Sequence, residues 1–173
     1  MKVISGGQTG VDIAALRAAK LCGIATGGWA PRGFKTQKGL CPYLGTEYGL
    51  LEMGASDYKE RTYANVRDSD ATLRIAQWWN SPGELCTLNA IKKFNRPYID
   101  ITWPVQQRTA STHAFRLLDW LKGKNVHILN VAGNSDRTCP GIEAGAFQLL
   151  GLIFAIRMYG EPRSSCWPKE ITW

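Results

Sequence analysis

Strand-like and helix-like stretches alternate along the whole 173-residue chain, which predicts an α/β fold. The expected form is a Rossmann-like three-layer sandwich, with a mainly parallel sheet and helices on both faces. Two further observations carry this expectation. The chain opens with Lys2-Val3-Ile4, passes through Ser5-Gly6-Gly7-Gln8-Thr9-Gly10, and enters an alanine-rich helical run from Val11 to Leu21. Strand, glycine loop and helix begin a βαβ unit. Core strands near residues 2, 24, 71, 97 and 126 then each end in a loop. In a parallel sheet such loops share the carboxyl edge, where ligands bind. Residues 1–159 are expected to form a single ligand-binding domain, with 160–173 as a C-terminal arm.

The elements follow in order. Gly6, Gly7 and Gly10 lack a Cβ, so backbone can adopt positive φ and approach a ligand closely. Thr9 is the candidate cap of the first helix, and Asp12 complements its dipole. Gly23 ends that helix. Ile24 to Trp29 reads as a second strand, followed by a long glycine- and proline-bearing loop from Ala30 to Tyr43. Loops of that length are usually functional or disordered. Thr46 to Met53 reads as an edge strand, given Gly49. Ser56-Asp57 caps a helix to about Arg67, with Arg61 and Asn65 on one face. Ala71 to Ile75 is a buried strand, Glu84 to Phe94 a helix and Pro97 to Ile101 a strand. Residues 109–122 carry an apolar stripe of Ala110, Ala114, Leu117, Leu118 and Leu121. Val126 to Val131 is the last strand, and its loop, Ala132 to Pro140, opens a helix from Gly141 to Tyr159. That helix is apolar on nearly every side, which predicts a subunit interface and a homo-oligomer. The tail, with Trp167 and Trp173, is expected to lie over the domain or a neighbouring subunit.

Composition bounds the function. At 45% hydrophobic and 20% charged residues, the chain is an ordinary globular one. No run approaches the ~18 apolar residues of a membrane helix. The first residues enter a strand directly, so no signal peptide is expected. Cys22, Cys41, Cys86, Cys139 and Cys166 are odd in number and form no C-x-x-C, so neither a zinc site nor a disulfide framework is indicated. Reduced thiols and a cytoplasmic location are the expectation. With two histidines, His113 in a helix and His127 in a core strand, no metal site is expected. The net charge of +7 suggests an anionic partner. Nucleic-acid binders concentrate charge in a stripe, and the Lys92-Lys93 pair falls on a solvated helix face, so single-stranded DNA is disfavoured.

A helix start above a glycine loop prefers an anion, most often phosphate. The spacing is neither G-x-G-x-x-G nor G-x-x-x-x-G-K-[ST], so neither a dinucleotide nor a P-loop triphosphate follows. Gly28 to Thr36 comes near the second pattern, but Phe34 splits the glycine–lysine pair. Four carboxyl-edge loops supply the candidate binding residues. The first gives Gly6, Gly7, Gln8, Thr9, Gly10 and Asp12. The second gives Trp29, Arg32 and Lys35, with Lys38 beside them. The third gives Ser81, Gly83 and Thr87, and the fourth Gly133, Asn134 and Gly141. No catalytic residue is assigned. The plain alternative for the first loop is a tight turn with no ligand.

Ser5-Gly6-Gly7-Gln8-Thr9-Gly10-Val11-Asp12, with Gly27-Gly28-Trp29-x-Pro31-x-Gly33, resembles the molybdenum cofactor carrier proteins. So do Tyr58-x-x-Arg61-Thr62-x-x-Asn65-Val66-x-Asp68-Ser69-Asp70-Ala71-Thr72, Leu129-Asn130-Val131-Ala132-Gly133 and Pro140-Gly141-Ile142. That family is related to the cytokinin-activating, lysine-decarboxylase-like Rossmann group. The resemblance runs from residue 1 to about 150. It implies a Rossmann-type homo-oligomer, often a tetramer, that binds the molybdenum cofactor, a phosphorylated molybdopterin, and hands it to molybdenum enzymes. By similarity the Gly6–Gly10 loop would hold the phosphate, and Trp29 or Trp78 would stack on the pterin. A thiolate at Cys139 would suit molybdenum, which favours soft sulfur ligands.

Ser81-Pro82-Gly83-Glu84-Leu85-Cys86-Thr87 departs from the pattern, because Glu84 brings negative charge to a loop expected to meet an anion. The second reading is a hydrolase of nucleotides or phosphate esters, like the cytokinin-activating nucleoside monophosphate phosphoribohydrolases. Those relatives use a Pro-Gly-Gly-x-Gly-Thr-x-x-Glu loop, broken here after Pro82-Gly83. An N-glycosidic hydrolase needs a positioned acid or base, for which Asp12, Asp68 and Asp70 are the candidates. A carrier without turnover is therefore the expected function.

Overall fold

A computed structural model describes residues 1–160 and 168–171, so the expected arm falls mainly on 161–167 and 172–173, outside the described residues. The strands are β1 (Lys2–Ile4), β2 (Ala25–Ala30), β3 (Lys35–Thr36), β4 (Gly39–Leu40), β5 (Leu50–Glu52), β6 (Ala71–Ala76), β7 (Tyr98–Thr102) and β8 (Ile128–Gly133). The helices are α1 (Val11–Leu21), α2 (Tyr43–Tyr48), α3 (Tyr58–Arg67), α4 (Pro82–Phe94), α5 (Gln107–Gly123) and α6 (Ile142–Tyr159). Six strands form one sheet in the order β5-β2-β1-β8-β6-β7. Every pairing in it is parallel, with Val3 opposite both Thr26 and Leu129. β3 and β4 make a small separate antiparallel hairpin.

The chain moves outward from β1 to β2 and β5, then crosses to β6 and β7 before β8 slots in beside β1. The direction therefore reverses around β1, β8 and β6, and their carboxyl ends form the crevice in which such sheets bind ligands. α1, α5 and α6 share one large core with the sheet, in which Leu73, Leu129, Val131, Leu149, Ile153 and Phe154 are buried. α3 and α4 pack on each other through Val66, Ala90 and Ile91. They form the opposite layer, α3 against β2 and α4 against β8.

Two expectations change at this level. Thr46 to Met53 is not one strand: α2 runs to Tyr48, and Gly49 at φ 69° turns the chain into the short β5. The glycine serves as a left-handed helix stop, and the short β5 that follows does lie at the edge of the sheet. α6 is long and apolar enough to cross a membrane by length and composition, yet it lies in the core, with Leu149, Leu150, Ile153 and Phe154 wholly buried. Its apolar circumference is covered by α1 on one side, α5 on another and Ile171 against Gly151. The feature that suggested a subunit interface is thus met within one chain.

Candidate ligand-binding cleft

The first glycine loop is buried from Ser5 to Gly10, and its glycines admit protein rather than open space. The Arg61 guanidinium occupies the place where Gly6 would carry a Cβ. Gly10, at φ 84°, lies under the Asn134 carbonyl and the Asp136 amide. Gly7, at φ 70°, faces Leu44 and Leu50. The loop amides are engaged as well. Gln8 N–H donates to Asp12 Oδ2 (3.3 Å), Thr9 N–H to Gln8 Oε1 (2.9 Å), Gly10 N–H to Glu143 Oε2 (3.3 Å) and Val11 N–H to the Asn134 carbonyl (3.2 Å). Thr9 does not cap α1. Gly10 holds the N-cap position, and the Thr9 hydroxyl donates to Gln37 Oε1 at 2.8 Å. Gln37 also donates from its backbone to Gln8 Oε1 (2.8 Å) and from its side chain to Ser135 Oγ (3.0 Å). The β3–β4 hairpin is thereby tied over the loops that follow β1 and β8.

Beside this loop opens a cleft of about 350 Å³, within the usual size range of small-molecule sites. Tyr58, Lys59, Arg61 and Thr62 of α3 form one wall, and Ser81 to Glu84, Cys86 and Thr87 form the other. Gln8, Asp12 and residues 132–135 line the floor. α4 begins at Pro82, two residues before the expected start, because Ser81 caps it by accepting from Glu84 N–H (3.4 Å) and proline suits the first turn. Asn134 holds that loop in place: its Oδ1 accepts from Gln77 N–H (3.0 Å) and Trp78 N–H (2.9 Å).

Charge in the cleft is buried and incompletely paired. Arg61 Nη1 lies 3.1 Å from Asp12 Oδ2, while Arg61 Nε is buried without a hydrogen-bond partner. Burial raises the Asp12 pKa, with Arg61 opposing the rise. Glu84 is 2% exposed, and burial lifts its pKa to about 7. Arg74 opposes that shift only from 3.9 Å. Burial also raises the Cys86 thiol, against the pull of Arg61 and Lys59.

The model of the circularly permutated YpsA SLOG family matches residues 3–154, nearly the whole described chain. The chain belongs to that family. A solved structure named "Putative molybdenum carrier protein", from Syntrophus aciditrophicus SB, is similar to it at 34% identity. The likeness covers 88% of this chain and 93% of that one, with a TM-score of 0.80. No curated protein matches.

This member of the circularly permutated YpsA family gathers only some of the candidate residues. Gln8, Asp12, Ser81, Gly83, Thr87, Gly133 and Asn134 line the cleft. Gly6 and Gly10 lie behind it, under Arg61 and Asn134. Gly7 and Thr9 line a smaller neighbouring pocket of about 150 Å³, which Lys38 also borders. Gly141 opens α6 at φ 83° and does not line the cleft. Trp29, Arg32 and Lys35 do not line it: of the segment after β2, Gln37 is the residue that reaches the cleft among the described residues. Trp29 Nε1–H donates to Asp68 Oδ2 (2.7 Å), and Arg32 and Lys35 are exposed. Trp78 is exposed outside the cleft. Cys139 is buried, its thiol donating to Gln77 Oε1 (3.1 Å), and only Cys86 brings sulfur to the cleft among the described residues. His127 is exposed, just before β8. Asp70 accepts from His127 N–H and Ile128 N–H at the far end of β8, which leaves it a structural task. Sequence reasoning missed Lys59, Gln37, Ser135 and the roles of Arg61 and Glu84. Arg61 stood in a recognised motif, but its partner lies 49 positions away on α1.

Proposed function

We propose that this chain is a carrier of the molybdenum cofactor, holding the phosphorylated molybdopterin in the cleft between α3 and α4. The observation that supports it best is Arg61, seated on Gly6 with an unpartnered Nε beside the glycine-rich loop. A guanidinium with a free donor is a phosphate anchor. Lys59 and the first turn of α4, where Gly83 faces open space, favour the same anion. The cargo phosphate would thus sit at the rim of the glycine loop on Arg61, since the loop's own amides from Gln8 to Val11 are already engaged. Gln8 and Ser81 offer hydrogen bonds to the rest of the cargo, and Cys86 would be the sulfur available to its molybdenum. The hairpin tied by Gln37 would shield the cargo from water. The proposal includes a cytoplasmic setting, delivery to molybdenum enzymes and a homo-oligomer, expected as a tetramer, that joins through a face other than α6.

The test is to purify the protein anaerobically and identify bound small molecules by mass spectrometry. A phosphorylated pterin, present in the parent and absent from Arg61→Met, is the expected result. A clean parent that also ignores added pterin phosphates would overturn the carrier reading.

One observation favours a second reading. Glu84 is a buried acid titrating near neutrality in a ligand cleft, as a general acid requires. Release of free base from nucleoside monophosphates at ~1 per second or faster, abolished by Glu84→Gln, would make the protein a hydrolase instead.

A further inference from the structure

The cleft is electrically divided, and its acidic half is only partly satisfied by the protein. Arg61 and Lys59 stand on the α3 wall, and Glu84 on the α4 wall. Glu84 Oε2 is buried and accepts no hydrogen bond, with Arg74 Nη1 standing 3.9 Å away, and Oε1 receives one long bond, from Asn134 Nδ2 at 3.4 Å. Arg74, the nearest cation, spends its fork on Asp100 at 2.9 and 2.6 Å. The Ser-x-x-Glu spacing at Ser81 suggests a capping box, in which the glutamate reaches back to the cap amide. That role is empty here, because the Ser81 amide donates to the Trp78 carbonyl instead (3.3 Å). A buried carboxylate held by one long hydrogen bond and a distant cation is costly unless a ligand brings further donors.

Resting on the carrier reading, we infer that Glu84 reads the ring of the cargo: its carboxylate accepts the adjacent N–H donors of a 2-amino-pyrimidinone edge, while Arg61 and Lys59 take the phosphate. Two parallel N–H···O bonds to one carboxylate are a strong, geometrically selective pairing. A pterin carries that edge at one end and its phosphate-bearing substituent at the other, which matches the division of the cleft. Donors arriving at Glu84 also lower its pKa from about 7, so ring binding releases a proton. The other groups around it are Arg74 and Asp100 from β6 and β7, Asp12 from α1 and the uncharged Asn134, with Arg61 beyond Asp12 on the facing wall.

The experiment compares 6-hydroxymethylpterin phosphate with its lumazine counterpart, in which an oxo group replaces the 2-amino group. The parent should bind the pterin at least ~10-fold more tightly, the value of one hydrogen bond to a charged group. Glu84→Gln should erase or reverse that preference. It should also fold, since it removes an uncompensated buried charge, and a melting curve checks this. Independently of any variant, unphosphorylated 6-hydroxymethylpterin should bind the parent more tightly as pH rises from 5.5 to 7.5. Equal affinity for both rings, or binding that weakens with rising pH, would overturn this inference while leaving the carrier reading intact. Failure of both phosphates to bind would remove the carrier reading and this inference together.

Discussion

The loop after β1 and the loop after β6 end on the same edge of one sheet, and both open a helix with glycine and small polar residues. In the first, the amides from Gln8 to Val11 are engaged by groups of the same chain, and Gly6 and Gly10 lodge an arginine and a carbonyl. In the second, Gly83 faces open space and Glu84 keeps an oxygen without a donor. The contrast separates two uses of glycine that look alike in a sequence. One lets protein pack against protein; the other leaves room for a ligand.

The comparison breaks most sharply at the glycines. Gly10→Ala forces a Cβ at φ 84° into the backbone of Asn134 and Asp136, neither of which is a flexible side-chain end. Strain of ~1–3 kcal/mol plus that collision should leave little folded protein, as read by urea denaturation. Gly83→Ala meets no atom within 4 Å and has no positive φ. It should hold or raise stability by up to ~1 kcal/mol, through a less mobile unfolded chain. Equal losses for the two would mean that the loops do not differ in this way.

Next in size is Arg61→Met. It leaves Asp12, 3% exposed, without its cation, a change that typically costs about 3–5 kcal/mol. Stability should recover in Arg61→Met/Asp12→Asn, whereas pterin phosphate affinity should stay low. Arg61→Lys keeps the charge but loses the fork and should fall between the two in affinity. Recovery of binding along with stability would show that Arg61 only supports the fold.

How much of this was legible in the sequence follows the same division. Val3-Ile4 against Gly6-Gly7, and Ala71 to Ile75 against Pro82-Gly83, are local signals, and they placed the sheet, its carboxyl edge and most helices. Glu84 was visible as a misplaced charge, but its missing partners were not, since donors are counted only after folding. Trp29, Arg32 and Lys35 looked eligible because their loop is long and basic. Yet it is Gln37, between Lys35 and Leu40, that reaches the cleft, and which residue of a loop does so is decided by long-range contacts to Gln8 and Ser135. α6 misled for a related reason: composition reports that a face is apolar, and only packing reports that α5 and Ile171 cover it.

A pH experiment sharpens the comparison within the acidic half of the cleft. The Glu84 pKa is raised from 4.5 to about 7, so its neutral form is the one the fold prefers. The corresponding stability is fully present below pH 4.5 and is lost as pH rises through about 7. At about 1.4 kcal/mol per unit, the loss reaches an upper bound of about 3 kcal/mol. Glu84→Gln should therefore match the parent near pH 4 and exceed it near pH 8. Parallel stability curves across that range would mean that Glu84 is solvated or paired after all.

The smallest effect expected is at the basic loop. Arg32 and Lys35 are exposed and outside the cleft, so their charge reaches a cargo phosphate only through solvent. Screening over ~8 Å at physiological salt leaves such charges a modest role in association rate and little in affinity. The double substitution Arg32→Ala/Lys35→Ala should change pterin phosphate affinity by less than ~2-fold, about 0.4 kcal/mol. The on-rate at low salt should fall modestly, and that fall should vanish at about 0.3 M salt. A loss of tenfold or more in affinity, persisting in high salt, would require these side chains to touch the cargo. The hairpin from Lys35 to Leu40 would then have to fold further over the cleft than Gln37 now holds it.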